Sequence, residues 1–161
     1  MSTFAQLPPE EQATRLHRLA VVAAARWPLE CVRIEPIKVR ENAVYAVHTA
    51  DERRVVLRVH RLGYHSDEAL HSELTWMSAL GESGLEVPRP VPSRAGKSFE
   101  RVAVADVPGP RQVDVFEWIE GWYNPHRRHS ALGYRSPVNY ERAHQRSVTA
   151  IRLPALLPPA A

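Results

Sequence analysis

One cysteine, Cys31, is all that the 161 residues contain, so no internal disulfide can form and nothing in the thiol content points to an oxidising compartment. No apolar run approaches the roughly 20 residues that a membrane-spanning helix needs. The first nine residues lack the basic and apolar regions of a secretion signal. A cytoplasmic location with no membrane partner is the expectation. Acidic residues are scarce at one end: from Trp122 onward Glu141 stands alone against six arginines, so the net charge of +3 is +5 on that tail and −2 on residues 1–121. A basic segment attracts polyanions, nucleic acid first among them, and its plain alternative is a solvated end that binds nothing specific.

What is present reads in order as a helix, strands, a helix and more strands. Pro8-Pro9-Glu10-Glu11 suits a first helical turn. Leu16, Leu19, Ala20, Ala23 and Ala24 then recur at helical spacing until Pro28 ends the run. His17 on this helix reads as a solvated surface group, because no second ligand stands at metal-binding spacing. Strands are expected at 32–37, 43–49 and 54–61, the last two joined by a hairpin at 50–53. Arg58 and His60 would share one face of the third strand, where burying a charge without a partner is costly. Ser66 caps a helix at about 66–80 with Leu70, Leu74, Met77 and Leu80 inward and Glu73 in its middle. Pro88, Pro90 and Pro92 force an extended connection. A fourth strand is expected at 101–105 and a turn at 107–110, while 113–119 fits either a fifth strand or the start of a helix.

The stretches Glu41-Asn42-Ala43-Val44-Tyr45, Val56-Leu57-Arg58-Val59-His60-Arg61, Ser72-Glu73-Leu74-Thr75-Trp76-Met77 and Val87-Pro88-Arg89-Pro90-Val91, in this order, resemble the N-terminal lobe of the aminoglycoside phosphotransferase-like kinases. The resemblance covers about residues 25–121. It implies an α+β fold: a leading helix, an antiparallel sheet of about five strands with one packed helix, then a short basic helical tail. It also implies that Arg58 stands where such kinases commonly hold phosphates with lysine and that Glu73 is the matching acid. Glu117 and Trp118 would belong to the connector whose backbone meets adenine. The alternative for Arg58 and Glu73 is an ion pair that only joins strand to helix. The turn at 38–42 has no glycine, which disfavours close backbone approach to phosphates. The implied ligand is ATP with magnesium, bound weakly at most.

After Gly121 the sequence changes character. Trp122-Tyr123-Asn124, then Arg127-Arg128-His129-Ser130-Ala131-Leu132-Gly133-Tyr134, then Ser136-Pro137 and Tyr140-Glu141 resemble the C-terminal end of the integrase core of insertion-sequence transposases. Arg127, Arg128, His129 and Arg135 are the candidate DNA-phosphate contacts. They are equally readable as decoration of a domain they once covered. Neither half supplies catalytic acids: phosphoryl transfer needs acids to orient the acceptor and hold magnesium, and only Glu141 follows Gly121. No catalytic residue and no metal site is assigned; His126 and His129 lack further ligands. The expected organisation is a leading helix at 1–30, a kinase-like nucleotide-binding lobe without its second lobe at 31–121, a transposase fragment at 122–148 and an irregular Pro-rich tail at 149–161. The join falls within 106–121. With the sheet partly uncovered, self-association through exposed apolar surface is expected.

Overall fold

The structure is a computed structural model and describes residues 4–118. A short 3₁₀ turn at Phe4–Gln6 leads into helix α1, Pro9–Ala24, which starts at a proline and carries Glu10 and Glu11 in its first turn. Three strands follow, β1 (Cys31–Val39), β2 (Ala43–Thr49) and β3 (Arg54–Val59). Helix α2 spans Asp67–Glu82, and Ser66 accepts a hydrogen bond from the Ala69 amide at 3.1 Å as its N-cap. Strands β4 (Phe99–Val102) and β5 (Arg111–Glu117) complete an α+β architecture. The sheet is antiparallel throughout, with order β1-β2-β3-β5-β4.

Period-two alternation builds three layers from this sheet. One face carries Tyr45, Val47, Val55, Leu57, Val59, Val113 and Val115, which are buried together with Leu19, Ala20, Ala23 and Ala24 of α1 and with Trp27. The opposite face carries Phe116, buried with Leu70 and Leu74 of α2, while Val56, Met77 and Phe99 pack at its margin. The edge of β5 is covered along its length by two segments. β4 pairs with residues 111–114, and beyond it the Val91 amide donates to Val115 O at 2.7 Å and the Glu117 amide donates to Arg89 O at 2.9 Å. Pro88, Pro90 and Pro92 alternate with the residues that make these bonds, so the missing proline amides cost the sheet nothing.

Several expectations are corrected here. The segment expected as either a fifth strand or the start of a helix is the strand β5, Arg111–Glu117, because both its edges have partners. The fourth strand lies at Phe99–Val102, two residues earlier than the apolar pattern indicated, since Phe99 pairs with Asp114. β3 ends at Val59, although the His60 amide still donates to Gln112 O at 2.9 Å. His17 is half-buried and sits edge-on to the Tyr45 ring at 5.6 Å between centroids, so it is a packing group, not a solvated one. The basic helical tail and everything else expected beyond residue 118 lie outside the described residues. Among the described residues no helix is long and apolar enough to cross a membrane.

Tyr45 gives the α1 face a pH signature. Its ring is fully buried, its hydroxyl has no hydrogen-bond partner, and burial pushes the phenol up to about 12 from an ordinary value of 10. The folded state therefore keeps its proton where the unfolded chain has lost it. The contribution is fully present below pH 10 and is lost as the pH rises from 10 to about 12, on the order of 2–3 kcal/mol. Tyr45→Phe is expected to be neutral or stabilising at pH 7, because it removes an unpaired buried hydroxyl. It should also flatten that part of the stability curve, read by urea unfolding at stepped pH.

Candidate functional site

The polar centre of the fold lies on the α2 face, where β3, β5 and α2 meet. Arg58 and Asp114 are direct cross-strand partners in the β3–β5 register, and Asp114 is fully buried. The guanidinium grips the carboxylate with two parallel bonds, Nε to Oδ1 at 3.0 Å and Nη2 to Oδ2 at 2.7 Å. This is the bidentate geometry that arginine, unlike lysine, can make. Nη2 also donates to Glu73 Oε1 at 3.1 Å, which ties the strand to the middle of α2. His60 Nε2 lies 2.8 Å from the same Asp114 Oδ2, and both groups are inaccessible to solvent.

Burial by itself would push the Arg58 pKa down, but hydrogen bonding and attraction from Asp114 and Glu73 raise it above the ordinary arginine value. One cation thus stands between two carboxylates. The edge of the guanidinium formed by Nε and Nη2 is fully used, and only Nη1 has no hydrogen bond among the described residues. The guanidinium carbon lies over the Phe116 ring, 5.0 Å from its centroid. Val44, half-buried, is the cross-strand neighbour of Arg58 on β2, and Val56 precedes Arg58 by two on the same face. The β1–β2 turn is closed by the Arg40 amide donating to Asn42 O at 3.1 Å, and the Asn42 side chain accepts from the Arg61 amide at 3.2 Å.

The four residues expected to meet a nucleotide fall into two groups. Arg58 and Glu73 are in contact. Glu117 ends β5 and Trp118 follows it, three and four positions past Asp114, on the order of 10 Å away at strand rise. The Glu117 amide is already bonded to Arg89 O, and its side chain is exposed. Arg54 lies over the Trp118 ring at 4.3 Å, so the ring is held by a cation instead of standing open. Arg127, Arg128, His129 and Arg135 lie outside the described residues. Among the described residues no group of three or more His, Cys, Asp and Glu side chains could hold a metal ion.

Asp114 is the residue that sequence reasoning missed. Its signal was a single acid inside Val113-Asp114-Val115-Phe116, which demands a buried partner once the segment is a strand. Arg58 and His60 had already been singled out as polar residues sharing one face of the third strand. The link between the two depended on knowing that β3 and β5 are neighbours.

A five-stranded antiparallel sheet whose third strand presents a cation to an acid on the following helix is the arrangement of the N-terminal lobe of a kinase-type fold. The chain belongs to the phosphotransferase enzyme family, which matches residues 33–135. Among solved structures, a microcompartment-associated aminopropanol kinase superposes with a TM-score of 0.55 at 32% sequence identity, over 67% of this chain and 32% of its own. An amicoumacin kinase in complex with AMP-PNP, Ca2+ and Ami superposes with a TM-score of 0.58 at 21% identity, over 73% of this chain and 37% of its own, and shares the fold. An uncharacterized protein of Deinococcus radiodurans is 34% identical over 70 residues, 44% of this chain and 20% of that protein. The chain therefore spans about a third or less of the length of these relatives.

Proposed function

We propose that residues 31–121 are a degenerate nucleotide-binding lobe of a small-molecule kinase, retaining at most weak affinity for ATP and carrying no phosphoryl transfer. The observation that carries this reading is the double grip of Asp114 on Arg58, which leaves one guanidinium nitrogen for a phosphate. A second carboxylate at the same cation removes the positive potential that would attract a nucleotide. The glycine-free turn at 38–42 adds to this, because each side chain there keeps the backbone amides away from phosphate oxygens. Among the described residues no group of acids assembles a magnesium site. The aminopropanol kinase at 32% identity makes an amino alcohol a fitting acceptor class for the parent enzyme, whose acceptor contacts would come from a second lobe.

The motif at 122–141 supports a second element of the proposal, a transposase-type tail joined to the lobe within 106–121. The family match continues to residue 135 and so overlaps the first part of this motif. The connector acceptable to both lineages is Phe116-Glu117-Trp118-Ile119-Glu120-Gly121, and the family match runs 14 residues past its end. In this reading the basic tail is a DNA-binding remnant, and exposed apolar surface on the lobe favours self-association.

Calorimetry of the full chain with ATP and magnesium tests the lobe: binding no tighter than about millimolar, roughly −4 kcal/mol, is expected. Micromolar binding, or metal-dependent turnover abolished by Glu73→Gln, refutes it. A gel shift whose affinity falls steeply with salt and disappears when Arg127, Arg128 and Arg135 become Ala is the result expected of the tail. Sequencing of the flanking DNA decides the join, since an uninterrupted kinase reading frame would end the hybrid reading.

A further inference from the structure

A second cationic centre lies on the other face of the sheet, away from Arg58. Arg111 opens β5 with the same side-chain parity as Val113 and Val115, which face α1. It is only 7% exposed, yet it has no carboxylate partner among the described residues. Its Nε has no hydrogen bond, and Nη1 makes one long bond to His60 O at 3.4 Å. The Phe4 ring lies 5.6 Å from the guanidinium carbon and forms an apolar wall. Burial and, after it, the neighbouring charge of Arg61 push the Arg111 pKa down, and no acid counters them. Arg61 itself is exposed, its amide fixed by the Asn42 side chain.

The His60 amide donates to Gln112 O and the His60 carbonyl accepts from Arg111 Nη1, so Arg61 comes opposite Arg111 where the β3–β5 register of Val59 with Val113 runs on; two guanidiniums there without a counter-charge are unfavourable unless an anion completes them. Contrast Arg58, which is less buried than Arg111, at 21% side-chain exposure, and is neutralised by two acids. We propose that Arg111 and Arg61 form an anion site on the α1 face, with Arg111 as its buried floor and Arg61 as its exposed rim. The site takes a phosphate-class oxyanion, free or on a small molecule. A tetrahedral oxyanion has enough acceptors to meet the Arg111 Nη2, which makes no hydrogen bond among the described residues, and the Arg61 fork at once, which a single carboxylate does less completely. The site is separate from the Arg58 centre and does not depend on whether that centre binds ATP.

The test is titration of the full chain with inorganic phosphate while following the arginine Nε–H resonances by NMR, the Arg111 signal being assigned by its loss in Arg111→Lys. A saturable shift of that resonance is expected, with acetate at matched ionic strength giving none. Arg61→Ala, a change at an exposed position that leaves the core intact, should weaken phosphate binding by about tenfold, the loss of one charge-assisted bond. The proposal is overturned if the Arg111 resonance shows no saturation with phosphate. It is equally overturned if acetate binds as tightly, or if Arg61→Ala binds phosphate unchanged.

Discussion

Asp114→Ala is expected to cost about 3–5 kcal/mol in urea unfolding, because it leaves the Arg58 charge largely buried and the His60 ring without its acceptor. Arg58 keeps only its bond to Glu73 at 3.1 Å, while 79% of its side chain stays out of water, its exposure being 21%. A loss of that size is a large part of the 5–15 kcal/mol that holds a typical domain together. The control is the double variant Arg58→Met with Asp114→Leu, which removes both charges and fills their volume. It should recover most of the loss, since replacing a buried ion pair by apolar groups is commonly neutral or stabilising. If Asp114→Ala alone is within about 1 kcal/mol of the parent chain, the pair is not the structural anchor described here.

Trp27→Ala is the second large effect, at about 3–5 kcal/mol. The side chain is fully buried just after α1, and its Nε1 donates to Val91 O at 2.8 Å. Val91 in turn donates its amide to Val115 O on β5. Trp27 therefore couples the leading helix to the segment that covers the β5 edge. Trp27→Phe keeps most of the apolar burial but leaves the Val91 carbonyl without that donor, so an intermediate loss of about 1–3 kcal/mol is expected. A Phe variant as damaging as Ala would mean that the hydrogen bond, which both variants lack, and not the apolar burial that Phe keeps, fixes this joint. Urea unfolding followed by far-UV circular dichroism separates the two outcomes.

Much of the fold was legible because its signals are local. The proline start and apolar spacing of α1, the Ser66 cap of α2 and the alternation of β2 each lie within a few residues of sequence, and β2 occupies the expected residues. Residues 113–119 were not legible, because an apolar run of that length suits a strand or a helix until its neighbours are known. His17 was misjudged for a related reason: its environment is a ring on a strand 28 residues away.

The sequence by itself determined the order of the elements, the kinase-type pairing of Arg58 with Glu73, and the absence of acids after Gly121 other than Glu141. Only the tertiary structure decided what those charges do. Arg58 and Asp114 are 56 positions apart and become partners through the adjacency of two strands that are not consecutive in the chain. Arg111 and Arg61 likewise come together without an acid because the end of β3 lies beside the start of β5. Side-chain chemistry is written in sequence, but whether a buried cation has a carboxylate or must find an anion elsewhere depends on long-range register, which no local pattern encodes.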